Sequence, residues 1–155
     1  MKTTGKMGAL LLMLILTARA WASNLEWKTD FDQAKALAKS EQKYLLINFT
    51  GSDWCPWCVK LRTEVFQTPE FKQFVDSKLV LMEADFPRSK PQPADLKAQN
   101  RRLAGDYGIE GFPTVLILNP QGEVIAKTGY RRGGSVAYVD HLKAIIQEYE
   151  QKQKK

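Results

Sequence analysis

The sequence contains one histidine and two cysteines among 155 residues. That scarcity excludes several kinds of site. A structural zinc centre takes four cysteine or histidine ligands, and Cys55, Cys58 and His141 are too few. A c-type haem attachment needs a histidine directly after the second cysteine of a C-x-x-C, and Val59 stands there. Long apolar runs are also absent. The longest, Ala9 to Ala18, is about half of the roughly 20 residues that cross a bilayer. Nor is there a basic stripe with interleaved aromatics, the footprint of a nucleic-acid binder. The basic clusters outside the first residues are Arg131-Arg132 and the tail Lys152-Gln153-Lys154-Lys155, which read as solvated charge. No metal site, no cofactor and no nucleic-acid partner is therefore expected.

What is present describes a globular chain. A content of 44% hydrophobic and 26% charged residues is far from the disordered range. The length suits one domain with a sizeable core. The first 22 residues have the three parts of a secretory signal peptide. Lys2 and Lys6 make a basic start, Ala9 to Ala18 an apolar centre, and Ala20-Trp21-Ala22 a small-residue cleavage site. The expected division is a leader over 1–22 and a domain over 23–155, exported to the periplasm or an equivalent compartment. An uncleaved membrane anchor is the alternative. Cleavage removes Lys2, Lys6 and Arg19 and no acid, so the net charge of +6 falls by three to +3. Much of the apparent basicity belongs to targeting.

Along the chain, Phe31, Ala34, Leu37 and Ala38 form a helical stripe that Thr29 or Asp30 can cap. Tyr44 to Phe49 reads as a buried strand, broken by Gly51-Ser52-Asp53. A helix is expected from Cys55 or Pro56 to about Phe66, since proline suits a first helical turn. Thr68 caps a short helix through Phe74 and Val75. Leu79 to Phe86 is a strand, Pro87 to Pro93 a loop and Ala94 to Tyr107 a helix. Thr114 to Leu118 and Glu123 to Lys127 make a hairpin about Asn119-Pro120-Gln121-Gly122. After Gly133-Gly134 a last helix carries Val136, Val139, Leu142, Ile146 and Tyr149. This α-β-α-(α)-β-α-β-β-α order predicts an α/β fold, a mixed central sheet flanked by helices.

Both cysteines fall in one C-x-x-C, Cys55-Pro56-Trp57-Cys58. As a staple the pair is weak, because a four-residue loop stabilises by only about 2 kcal/mol in the chain-entropy model. Redox chemistry is the reading the surroundings favour. Strand, turn, cysteine and helix put Cys55 at a helix N-terminus, where unpaired N–H groups and the dipole stabilise a thiolate. Cys58 lies one turn on, within reach of a mixed disulfide at Cys55. Cys55 is thus the expected exposed nucleophile and Cys58 the buried resolving thiol. Trp54 and Trp57 flank them as candidate substrate contacts, with packing an equal contender for Trp54 and exposure expected for Trp57. His141 reads as a surface residue, and Trp27 and Tyr44 as core or cover. Asn48-Phe49-Thr50 matches a glycosylation sequon, discounted because it lies in a buried strand.

The chain resembles the thioredoxin superfamily in Phe49, Trp54-Cys55-Pro56-Trp57-Cys58, Tyr107-Gly108-Ile109-Glu110-Gly111-Phe112-Pro113-Thr114 and the Asn119–Gly122 turn, in that order. Gly-Ser-Asp-Trp-Cys before the helix and Asp85-Phe86-Pro87 after the next strand are similar to small exported proteins, the DsbH-type periplasmic reductases. The resemblance implies a thioredoxin fold and a thiol–disulfide oxidoreductase, most readily a reductase. It also implies a cis Pro113 that forms the substrate-facing wall with Phe112. The implied partners are protein disulfides and an external thiol or membrane electron donor, and a monomer is expected. A periplasmic oxidase, or a thioredoxin-fold binding module with an inert disulfide, are the alternatives. Two departures stand out: the pair between the cysteines is Pro56-Trp57 instead of Gly-Pro, and the strand before them also differs. The buried aspartate usual before the strand-ending phenylalanine is here Asn48, which exchanges no proton at ordinary pH.

Overall fold

A computed structural model describes residues 25–154 of the chain, so the leader expected over 1–22 lies outside the described residues. Strand β2 (Tyr44–Thr50) is buried at every position. It forms the centre of the sheet because its seven residues offer apolar groups to both faces. Leu45, Ile47 and Phe49 point to one side with Val80, Met82 and Ala84 of β3 (Leu79–Asp85). Tyr44 and Leu46 point to the other with Leu79 and Leu81. The two strands run parallel in register, from Tyr44 beside Leu79 to Thr50 beside Asp85. Antiparallel to β2 lies β4 (Thr114–Leu118), which pairs in turn with β5 (Val124–Gly129). With β1 (Trp27–Lys28) on the far edge of β3, the sheet has five strands in the order β1-β3-β2-β4-β5.

Helices cover both faces, as expected. On the first, α1 (Phe31–Glu41) buries Phe31, Ala34 and Ala38, and α4 (Ala94–Asp106) buries Leu103. Asp30 caps α1 by accepting the Gln33 N–H at 2.8 Å. On the second lie α2 (Pro56–Leu61), α3 (Pro69–Lys78) and α5 (Gly134–Gln153). Their Leu61, Phe71, Tyr138 and Leu142 are all but fully buried. Each such side chain contributes about 1.5–3 kcal/mol through removal of apolar surface from water.

Three features differ from the sequence reading. The two-residue β1 is too short to show a period; Trp27 packs there at a tilt against Phe66, ring centres 5.1 Å apart. The helix from Pro56 is regular only to Leu61 and continues as a π-helical turn over Arg62–Phe66. There Thr63 Oγ1 donates to the Val59 and Lys60 carbonyls at 3.0 and 3.3 Å, a side-chain bond of the kind that competes with a regular ladder. Val136 is 60% exposed, so the buried stripe of α5 begins at Tyr138 and Val139. Tyr44 is a core residue, and burial, with Glu150 adding to it, pushes its hydroxyl up to about 12. Asn48 is buried, which leaves the sequon out of reach.

Candidate active site

The C-x-x-C lies where β2 ends and α2 begins. Cys55 is the N-cap of α2, with Pro56 in the first helical position. Proline fits because its missing N–H is one the helix would leave unpaired. Cys55 and Cys58 are joined as a disulfide across a Cα–Cα distance of 5.2 Å. The Cys58 N–H points at Cys55 Sγ at 3.2 Å, and the Gly51 N–H at Cys58 Sγ at 3.5 Å. Each sulfur thus has a backbone donor that favours negative charge on it.

The expectation of an exposed Cys55 is corrected. Cys55 is 4% and Cys58 5% exposed, so both are buried in the disulfide form. The cause is local. Cys55 Sγ turns inward as the cap of α2, and Trp57 takes the outward position at 48% exposure. Trp57 packs at a tilt against Tyr130, ring centres 5.2 Å apart, with the Lys60 ammonium 5.4 Å from its ring centre. Tyr130 donates to Glu64 at 2.6 Å. This is an exposed aromatic surface beside the disulfide.

Trp54 is packed instead. Its Nε1 donates to the Phe86 carbonyl at 2.8 Å, its ring meets Phe112 edge-on at 5.8 Å, and the Arg88 guanidinium lies 3.8 Å from its centre. Phe112 also packs on Phe86 at 5.0 Å. The Phe112–Pro113 peptide is cis. Gly129, paired with Thr114, lets β5 approach this wall: a Cβ there would lie 2.8 Å from the Pro113 carbonyl oxygen. Gly51 serves Trp54 similarly, since a Cβ at Gly51 would meet Trp54 Cζ2 at 2.7 Å.

The sequence reading missed the bonds that hold the turn before Cys55. Asp85, last in β3, accepts the Ser52 N–H at 2.9 Å and the Ser52 hydroxyl at 2.6 Å. Asp53 accepts the backbone N–H groups of Arg88, Ser89 and Lys90, the Ser89 bond being 2.7 Å. Those donors, Arg88 first, hold its carboxyl below the usual range. Also unforeseen is a cavity of about 690 Å³ behind the disulfide, lined by Cys58, Asn48, Thr50, Arg62 and Glu83 among others. Its signal was a glutamate within the apolar strand Leu79-Val80-Leu81-Met82-Glu83. His141, expected at the surface, is half-buried and bonds Thr128 Oγ1 through Nε2 at 3.1 Å. Among the described residues no group of three or more His, Cys, Asp or Glu side chains is placed to hold a metal ion.

Comparison with known proteins agrees with this geometry. A family profile described as a thioredoxin-like domain matches residues 31–141. The chain is 35% identical to the disulfide bond reductase DsbH of Chlamydia pneumoniae over 125 residues, 81% of this chain and 75% of that protein. It is 31% identical to the thioredoxin-related protein DsbJ of the same organism, spanning only 37% of that longer protein. A solved structure of a DsbH oxidoreductase superposes with a TM-score of 0.77 at 33% identity, covering 91% of this chain and 95% of that one. A thioredoxin from Thermus thermophilus, 18% identical with a TM-score of 0.59, shares the fold. Sequence, fold and the disulfide at the head of α2 agree: the chain belongs to the thioredoxin-like family and is a thiol–disulfide oxidoreductase.

Proposed function

We propose that the protein is exported and reduces protein disulfides, with Cys55 as the attacking thiol and Cys58 as the resolving one. The observation that carries this reading is the placement of Cys55 Sγ at the α2 N-terminus, under the Cys58 N–H. A thiolate there is stabilised by the unpaired N–H groups and the dipole of the helix. It attacks a substrate disulfide and forms a mixed disulfide at Cys55. Cys58 then displaces the substrate, leaving Cys55 and Cys58 oxidised and the substrate as two thiols. An external thiol or a membrane donor restores the dithiol, and no bound cofactor is required. Trp57, Phe112 and Pro113 form the surface that substrate meets, with Trp54 supporting Phe112 from behind.

The reducing direction follows from the modest support that the thiolate receives. Strong oxidants stabilise their reduced form, chiefly through the thiolate. Here the residues between the cysteines are the uncharged Pro56 and Trp57. Lys60, the nearest cation in α2, lies over the Trp57 and Tyr130 rings and pairs with Glu64 at 3.6 Å. The name of the Chlamydia reductase is consistent with this direction. A second reading, a binding module with an inert disulfide, is favoured by the burial of both sulfurs.

One experiment separates the readings. The chain from Ser23 onward is equilibrated with glutathione buffers and, separately, with dithiothreitol and a protein disulfide. A disulfide that dithiothreitol opens, that dilute glutathione leaves closed, and that turns over substrate supports the reductase. Ready opening by dilute glutathione makes the protein an oxidase. Resistance to dithiothreitol makes it a binding module. Export is checked by the mass of the protein recovered outside the cytoplasm: an N-terminus at Ser23 is expected, and a retained Met1 indicates an anchor.

A further inference from the structure

The cavity behind the disulfide opens on Cys58 and holds one acid among the described residues that line it, Glu83. Glu83 is the β3 partner of Asn48 in the parallel ladder. Residues in register on neighbouring parallel strands share a face, and the strands lie about 4.8 Å apart. That face is the one bearing Leu46 and Leu81, on the side of α2 and Cys58. The floor beneath Cys58 therefore consists of an amide that cannot ionise and, one strand away, a half-buried carboxyl that can.

The Asn48 amide is itself incomplete. Its Oδ1 is buried and accepts no hydrogen bond among the described residues. A polar, roomy site of this kind takes up water. A water donating to Asn48 Oδ1 has its other hydrogen and its lone pairs free for Glu83 and Cys58, which border the same space.

We propose that Glu83 carries the proton of Cys58, through this cavity, during the resolving step. The proposal rests on the reading that Cys58 is the resolving thiol. The Cys58 thiol gives its proton to the Glu83 carboxylate, directly or through the cavity water. The Cys58 thiolate attacks Cys55 Sγ of the mixed disulfide, and the Cys55–substrate bond breaks as the Cys55–Cys58 bond forms. The substrate sulfur leaves with the electron pair and takes a proton from solvent. The two cysteines have together given two electrons to the substrate disulfide. When an external thiol later reduces Cys55–Cys58, Glu83 returns the proton to Cys58.

The charges around Glu83 suit the task. Burial raises its carboxyl above the ordinary range, and Asp85 on the same strand adds to this. Arg62 from the π-helical turn and Lys90 from the loop after β3 act the other way without cancelling it. Lys72 of α3 borders the cavity, and β1 contributes the uncharged Trp27. A base with a raised pKa is better matched to a thiol near neutral pH than an ordinary carboxylate. The carboxylate form is the working one, so resolution should speed up as pH rises through the Glu83 pKa.

The test is single-turnover kinetics on the full domain with Glu83→Gln, Asn48→Asp and the double variant. Reduced protein is mixed with a small disulfide and both steps are followed as functions of pH. In Glu83→Gln the attack by Cys55 should proceed as in the parent. The mixed disulfide should resolve about a hundredfold more slowly at neutral pH, the lower end of what a general base contributes. Its pH dependence should move up to that of an unaided thiol. The double variant, with a carboxylate on β2 in place of the one on β3, should recover the neutral-pH rate. The Cys58 ionisation, read by thiolate absorbance in a Cys55→Ser background, should change with Glu83→Gln. Superimposable pH profiles for parent and Glu83→Gln would overturn the proposal while leaving the two-cysteine mechanism intact. Failure of Cys55 to form a mixed disulfide in the parent would overturn the mechanism itself.

Discussion

Asp53 and Ser89 are joined by a 2.7 Å bond from the Ser89 N–H to Asp53 Oδ2, and the neighbouring Arg88 and Lys90 N–H groups converge on the same carboxylate. Thirty-six positions separate the two residues, so the turn before Cys55 is fastened to a loop that the sequence shows only as a proline-rich connection.

This clamp should open with acid. Its backbone donors lower the Asp53 pKa from 3.8, so the carboxylate favours the folded loop. The contribution is complete above the unfolded value and is lost as pH falls through the lower, folded one. The protection factors of the Ser89 and Lys90 amides, exchange rates referred to the intrinsic rate at each pH, should therefore fall as pH drops below the ordinary carboxylate range. In Asp53→Asn they should be low and nearly independent of pH. Equal protection in the two proteins would show that Asp53 does not hold the loop.

The cysteine variants should differ in kind. Cys58→Ser leaves a nucleophile without a resolver and should accumulate mixed disulfides on Cys55. Cys55→Ser should lose disulfide reduction and capture little. Non-reducing gels followed by mass mapping of the linked cysteine check both. Capture through Cys58 in the Cys55→Ser protein would reverse the assignment.

Gly129→Ala should disturb the wall around Pro113 from a distance in sequence. A Cβ at 2.8 Å from the Pro113 carbonyl oxygen meets backbone, which cannot rotate away. A loss of about 1–3 kcal/mol in stability is expected, as for other overpacked sites. Reduction of protein substrates should fall further than reaction with a small disulfide, since only the former needs the wall. Denaturant unfolding and the two assays measure this.

Tyr138→Phe should stabilise the protein. The Tyr138 hydroxyl is buried without a partner among the described residues, and burial raises its pKa. Removing an unsatisfied buried polar group relieves a desolvation penalty of about 1 kcal/mol or more. A rise in the denaturation midpoint at unchanged m-value is the expected result.

Much of this architecture was legible in the sequence because it is local. The short apolar run of Tyr44 to Phe49 marks a strand buried on both faces, and Pro56 after Cys55 marks a helix start. What was not legible depends on contacts between distant segments. Val136 fits the helical spacing of Val139 and Leu142, yet only its position in the first turn of α5 decides its exposure. The inward turn of Cys55 depends on the cap it forms with Cys58. Asp53 and Asp85 stand in the sequence as motif residues, but the bonds they make appear only when β3 and its loop are brought beside the cysteines. Glu83 left a trace as an ionisable residue inside the apolar run from Leu79 to Ala84.

The turn over 51–54 is tied to the end of β3 three times: Ser52 to Asp85, Asp53 to the backbone of 88–90, and Trp54 to Phe86. None of these bonds involves sulfur. The mount that presents Cys55 is thus fastened from the end of β3 and its loop, and it reaches the disulfide through the Gly51 N–H, 3.5 Å from Cys58 Sγ. Substitutions at Pro56 can retune the potential while Phe112 and Pro113 stay in place. A change at Trp57, 48% exposed beside the disulfide, also alters the surface that substrate meets, so potential and recognition are coupled at that position.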